Sequence, residues 1–120
     1  MKKNILSLVV LIYGTHSFAQ QKINADDAAK HESDSVIVCT KIFGARYFEG
    51  AENAPTLLNA GAKYPDAPLT VVIYRDSRPS FTNKPEEFYV DKNVCVTGRI
   101  VLYKGKPQII LTKQSNIVVQ

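Results

Sequence analysis

In this 120-residue chain the two cysteines could form a disulfide, and whether they do depends on where the fold places them. Cys39 and Cys95 are its only cysteines, so one intramolecular pairing is possible. Each lies in a run rich in β-branched residues, 36–42 and 94–100, where alternation places the valines on one face and the cysteine on the other. If the two runs form neighbouring strands, the thiols can meet in a disulfide. Two unpaired thiols on separate strands are the alternative.

The other reactive side chains do not assemble into a catalytic or metal-binding motif. His31 is the only histidine after residue 19, and no Cys-x-x-Cys spacing occurs, so the sequence predicts no metal site. The carboxylates are scattered, and Glu86 and Glu87 after Pro85 suit the first turn of a helix. Signatures such as Gly-x-Ser-x-Gly and His-Glu-x-x-His are absent. We therefore expect a protein that is not an enzyme and has no cofactor.

The first 19 residues have the three-part pattern of a signal peptide. Lys2 and Lys3 precede an apolar run over 5–13, which is well short of the ~20 residues that span a bilayer. Ser17 and Ala19 are small residues at the −3 and −1 positions of a cut before Gln20. We therefore expect a secreted or periplasmic protein, in a compartment where disulfides persist. A buried N-terminal helix or a retained membrane anchor is the alternative.

Composition indicates one globular domain without a strong electrostatic bias. Hydrophobic residues make up 45% of the chain and charged residues 22%, which is ordinary for a folded protein. After residue 19 the chain has 13 basic and 11 acidic residues. That excess is too small to predict a polyanionic partner by itself, so the argument depends on where the charges lie.

Periodicity and turn residues predict a polar lead-in over 20–33, with a short helix over 24–31 capped by Asn24, followed by an all-β domain over 34–120. A single helical stretch begins at Pro85, and a short extended piece is expected over 116–119. Five strands are expected, over 35–48, 56–59, 69–74, 94–103 and 108–112. Five strands with a helix between the third and the fourth is the element order of the OB-fold, a small Greek-key barrel. Other small β-sandwiches or barrels remain compatible with this order.

Residues 94–117 resemble the last two strands of the nucleic-acid-binding OB-fold superfamily. Its Val-x-Val-x-Gly-x-Ile pattern, basic turn and Pro-x-Ile are matched by Val94, Val96, Gly98, Ile100, Tyr103, Lys104, Gly105, Pro107 and Ile109. Residues 38–42 resemble the first strand of the superfamily, with Thr40 in place of its usual glycine, and we expect Gly44 to supply the bend. The layout after residue 19 also resembles small exported OB-like proteins of bacteria.

This resemblance implies a ligand face built from the second and third strands and from the loops that join strands 1–2 and 4–5. Cations there would contact phosphates and aromatic rings would stack on bases, which implies single-stranded DNA or RNA as partner. The alternatives are a solvated rim without a ligand, or a module for an envelope protein or an oligosaccharide. Glu49 and Glu52 in the first loop would oppose a phosphate backbone. The candidate ligand-binding residues are Arg46, Tyr47, Tyr74, Arg75, Arg78, Tyr103, Lys104 and Lys106.

Residues 103–107 form the turn of the last hairpin, and we expect Gly105 alone to meet its conformational demand. We therefore expect Lys104 and Lys106 to belong to the ligand-facing rim. The alternative is that lysines on an exposed turn serve solubility alone.

Overall fold

The computed structural model describes residues 20–120. The predicted signal peptide, residues 1–19, lies outside the described residues. Within the described part, no helix has the length and apolar character needed to cross a membrane.

The described residues are mostly β-strand, with one short α-helix and three 3-10 helices. The strands are β1 (Gln21–Ile23), β2 (Ser35–Tyr47), β3 (Thr56–Ala60), β4 (Leu69–Ile73), β5 (Asn93–Tyr103), β6 (Lys106–Ile110) and β7 (Ile117–Val119). The helix α1 covers Pro85–Phe88, and the 3-10 helices cover Ala25–His31, Arg75–Ser80 and Gln114–Asn116.

Five of these strands pair in a closed order. β2 pairs with β3 and β3 with β4, both antiparallel, and β4 pairs with β6 in parallel. β6 then pairs with β5, and β5 returns to β2, again antiparallel. The all-β, barrel-like class expected from the sequence is therefore confirmed.

The expected number of five strands is wrong, because the described residues contain seven. β1 adds to β2 in parallel, and β7 adds to β5 in antiparallel fashion. Each has three residues, which is too short for an alternation pattern to identify. β7 occupies the place of the extended piece expected over 116–119.

The two longest strands, β2 and β5, each pair with two different strands along one edge. A local irregularity marks the point where the pairing partner changes. The first half of β2 lies between β1 and β5, and its second half pairs with β3. Its register shifts between Ile42 and Gly44, which is where the sequence predicted a bend. In β5, a Cβ on Gly98 would lie 2.5 Å from Cγ2 of Ile109 in β6. Glycine at this position therefore allows β6 to approach β5 closely.

Alternation in β2 and β5 separates the core from the disulfide. Val36, Val38 and Val96 are fully buried, and the neighbouring cysteines lie on the opposite face. Cys39 and Cys95 are direct cross-strand partners, with a Cα–Cα distance of 4.0 Å and an S–S bond. The predicted disulfide is confirmed, and it is consistent with an oxidising location outside the cytoplasm.

The lead-in helix is a 3-10 helix that attaches to the barrel through Ala25 and Ala28, both buried. The side chain of Asn24 makes no capping hydrogen bond there, contrary to the expectation. The backbone N–H of Asp27 instead donates to the carbonyl of Asn24 at 3.0 Å, so the main chain alone closes the first turn.

Candidate ligand-binding surface

A groove of about 420 Å³ crosses the outer face of β2 and β3. Its lining combines residues of β2 and β3 with Phe48, which directly follows β2, and with two residues of the β3–β4 loop, which we define as residues 61–68. The lining residues are Phe43, Gly44, Ala45, Arg46, Phe48, Leu57, Asn59, Lys63 and Tyr64.

The register of the two strands determines which side chains face this groove. Leu58 of β3 is fully buried, so its neighbours Leu57 and Asn59 point to the outer face. Arg46 lies directly opposite Leu57, and Gly44 lies opposite Asn59. Cross-strand partners share a face, so the barrel core itself places these groups in the groove.

The groove is aromatic and cationic. The guanidinium carbon of Arg46 lies 4.6 Å from the ring centre of Phe48, and Nζ of Lys41 lies 5.1 Å from that of Phe43. Tyr64 is 80% exposed at the edge of the groove. None of the lining residues carries a carboxylate. The surface therefore offers stacking platforms together with positive charge, the combination that suits a planar anionic ligand.

Two predicted site residues, Tyr47 and Arg78, contact each other outside this groove. The guanidinium carbon of Arg78 lies 3.7 Å from the Tyr47 ring centre. Its nitrogens donate to the two carboxylate oxygens of Glu86 at 2.9 and 3.2 Å and to Oγ1 of Thr56 at 2.5 Å. The Arg78 and Glu86 side chains are only 18% and 16% exposed. The charge of Arg78 is thus engaged within the fold, and we call these four residues the Arg78 cluster.

The pKa values of the charged pair reflect this geometry. The hydrogen bond with Glu86 raises the pKa of Arg78 above its ordinary value, although burial opposes it. Burial alone would raise the pKa of Glu86, but the hydrogen bond and charge of Arg78 outweigh it, so that pKa lies below its ordinary value. Both groups therefore remain charged at neutral pH.

Tyr74 and Arg75 follow the end of β4 and border the β2–β3 loop. The backbone N–H of Arg75 donates to the carbonyl of Asn53 at 2.9 Å, which ties that loop to the barrel. The Arg75 side chain itself is exposed.

The other three predicted site residues lie at the end of the barrel opposite to Tyr74 and Arg75. They are Tyr103, Lys104 and Lys106. β4 and β6 run in parallel with Thr70 opposite Gln108, so Lys106 lies beside the start of β4. Tyr74 follows the end of β4. The structure therefore divides the eight predicted residues between two ends of the barrel.

The hairpin turn consists of two residues, and both have a positive φ. Lys104 has φ 50° and Gly105 has φ 77°, and Lys106 already belongs to β6, opposite Tyr103. The expectation that Gly105 alone meets the conformational demand is wrong, because this turn needs positive φ at both residues. Lys104 therefore occupies a turn position that requires a positive φ, and it also carries a charge. Its Nζ lies 5.4 Å from the ring centre of Tyr103, which is 58% exposed.

Sequence reasoning missed most of the groove, namely Phe43, Phe48, Leu57, Asn59, Lys63 and Tyr64. One signal was available for Tyr64, because a large aromatic residue in a loop with Pro65 and Pro68 has no strand to bury it. Phe43 gave no such signal, since the register shift beside it disturbs the alternation of β2.

Two other open depressions lie near α1. One of about 610 Å³ is lined by Thr82, Asn83, Lys84, Glu87, Phe88, Val90 and Lys92. The other, of about 450 Å³, lies along β7. Among residues 20–120, no three His, Cys, Asp or Glu side chains gather as a metal site would require.

Comparison with known proteins gives a likeness in fold only. No protein-family model matches the chain. No curated protein matches it either. It is similar to a solved structure described as an aspartyl-tRNA synthetase from Leishmania major Friedlin, with a TM-score of 0.51 and 9% sequence identity. The match covers 90% of this chain and 22% of the synthetase chain, so it concerns a part of that protein and supports a shared β-rich fold.

Proposed function

We propose that this chain is an exported, non-catalytic OB-fold-like module that binds single-stranded nucleic acid through the outer face of β2 and β3. The observation that carries the proposal is the groove, with three aromatic rings, the cations of Arg46 and Lys63, and no carboxylate in its lining. Stacking on rings with cations along the backbone is how proteins hold single strands without reading their sequence.

The order of the strands supports the fold assignment. In the ring β2–β3–β4–β6–β5, β4 pairs with β6 in parallel, and α1 lies between β4 and β5 in the sequence. This matches the five-stranded Greek-key barrel of the OB-fold, with β1 and β7 as additions. The solved structure of which a part is similar in fold is named for a tRNA synthetase. The Cys39–Cys95 disulfide supports export.

An oligosaccharide-binding or protein-binding module is the second candidate. Aromatic rings also stack on sugars, and Asn59 in the groove offers a donor and an acceptor to hydroxyl groups. A neutral sugar has no need of the two cations, however. The charge of the groove therefore favours a nucleic acid.

Fluorescence anisotropy with labelled dT12 and U12 at several salt concentrations tests the proposal. We expect log K to fall with log [salt], and Arg46→Gln to reduce that slope by about 0.7, the value of one phosphate contact on a single strand. Lys113→Gln is the matched control, because Lys113 is exposed after β6, across the ring from the groove. Absence of binding to both oligonucleotides, with saturable binding to a glycan, would replace the proposal by the second candidate.

A further inference from the structure

We propose that the β3–β4 loop forms one wall of the binding groove, where Tyr64 stacks on a base and Lys63 contacts the adjoining phosphate. This inference rests on the proposed function and deepens it, because it assigns one nucleotide unit to a defined place. The resemblance implied a ligand face on β3 and β4 together with the β2–β3 loop and the β5–β6 turn, so it did not include the β3–β4 loop.

The loop backbone is held in place by several contacts. Gly61 opens it with φ 90° and donates its N–H to the carbonyl of Lys41 in β2 at 3.0 Å. A Cβ on Gly61 would lie 2.8 Å from Cγ of Pro68, so the two ends of the loop pack closely. The N–H of Asp66 donates to the carbonyl of Lys63 at 2.8 Å. Tyr64 is therefore presented by an anchored turn rather than by a loose segment.

Exposure of the Tyr64 ring is the observation that points to a ligand. Tyr64 is 80% exposed, the largest exposed fraction among the big hydrophobic residues of 20–120. It lines the same groove as Phe43 and Phe48, which belong to the β2 region. An exposed aromatic ring in the same groove as two others provides area for stacking at little cost in conformational entropy.

The charges around the ring select among ligands. Lys63 adjoins Tyr64 in the loop, and Arg46 of β2 lines the same groove. The groove volume of about 420 Å³ falls in the range of pockets that hold a small ligand, roughly 300–1,000 Å³. Asn59 adds an amide that can donate to and accept from the edge of a base. A base with its phosphate uses all of these groups, whereas a neutral sugar leaves the cations without a partner.

The position of the loop also relates the groove to the hairpin turn. Thr70 pairs with Gln108 in the parallel β4–β6 ladder, so Pro68 lies at the level of Lys106. The end of the β3–β4 loop is therefore beside the turn that carries Tyr103 and Lys104. A single-stranded nucleic acid that leaves the groove over Tyr64 would pass toward this second group of aromatic and basic side chains. The ligand would therefore follow one continuous path along the surface.

The test compares Tyr64→Ala with Tyr64→Phe, and Lys63→Gln with Lys113→Gln, using labelled dT12 and a dT12 that contains one 2-aminopurine. We expect Tyr64→Ala to weaken binding about 5- to 150-fold, the loss of one stacked base, and to reduce quenching of the 2-aminopurine. Tyr64→Phe keeps the ring and should bind like the parent protein. Lys63→Gln should reduce the salt slope by about 0.7, and Lys113→Gln should leave it unchanged. Melting temperatures of all four variants should stay near that of the parent, since the altered side chains are exposed.

The outcomes separate this inference from the proposed function. If Tyr64→Ala binds dT12 as tightly as the parent while Arg46→Gln weakens binding, the loop is not part of the site although the function stands. If the parent binds neither dT12 nor U12, the proposed function itself fails. Binding of a glycan that is lost in Tyr64→Ala would assign the loop to a saccharide and overturn the nucleotide assignment.

Discussion

Arg46 and Arg78 make the same kind of contact in two different environments. Arg46 lies over Phe48 at 4.6 Å, and Arg78 lies over Tyr47 at 3.7 Å. Arg78 also holds Glu86 through two hydrogen bonds, whereas no ion pair among residues 20–120 involves Arg46. Arg46 and Tyr47 are adjacent in β2, so alternation sends one to the outer groove and the other toward Thr56. Where a carboxylate also binds the arginine, its contact with an aromatic ring is therefore part of the fold. Where no carboxylate binds it, the arginine is a candidate to contact a ligand.

Removing the disulfide tests whether the surroundings of Arg46 and of Arg78 both depend on the stability of the barrel. Cys39 and Cys95 are 56 residues apart, and the chain-entropy model values such a cross-link at about 4 kcal/mol. We expect the double variant Cys39→Ser/Cys95→Ser to lose about this much unfolding free energy in urea. Its affinity for dT12 should match that of the parent while it remains folded, since neither cysteine lines the groove. A loss of affinity without a loss of stability would contradict this separation.

The two arginines can be compared directly by substitution. Arg78→Ala leaves Glu86 mostly buried without its partner and removes the group packed on Tyr47. Fully buried pairs cost 3–5 kcal/mol when broken, and this pair is partly exposed, so we expect a loss of about 2–3 kcal/mol. Arg46→Ala should change stability by less than about 0.5 kcal/mol and weaken binding instead. Urea unfolding and anisotropy on both variants measure this contrast. Equal losses of stability would mean that the two environments do not differ.

Acid pH should weaken the Arg78 cluster. The pKa of Glu86 is lower in the folded protein than its ordinary value of 4.5, because the interactions with Arg78 outweigh the effect of burial. A carboxylate of this kind contributes stability above its unfolded pKa, and that contribution is lost as pH falls through the folded pKa. The parent should therefore exceed Glu86→Gln in stability at pH 7, by an amount that shrinks below about pH 4.5. Urea unfolding between pH 7 and 3 measures the difference, and a constant difference would refute the pair as its source.

The five strands of the ring and the disulfide were predictable because their signals are local. Alternating valines around Cys39 and Cys95 identified the inner face of two strands, and two cysteines allow one pairing. The Arg78 cluster was not predictable, since it joins residues separated by 22 and by 8 positions that only the folded barrel brings together. Arg78 was accordingly expected at the ligand face. Lys63 and Tyr64 escaped prediction for a related reason, since a loop has no periodicity to say what it faces.

Closure of the ring has a consequence for how the chain folds. β2–β3, β3–β4 and β5–β6 join strands that follow one another in sequence, so these pairings form over short distances along the chain. The β2–β5 ladder instead brings together segments nearly 60 residues apart, and an unlinked chain must give up loop entropy before that ladder yields contacts. The Cys39–Cys95 bond joins residues that are directly opposite in this ladder. Once oxidised, the chain keeps Cys39 and Cys95 joined even when it unfolds, so each refolding begins with this long-range encounter already made.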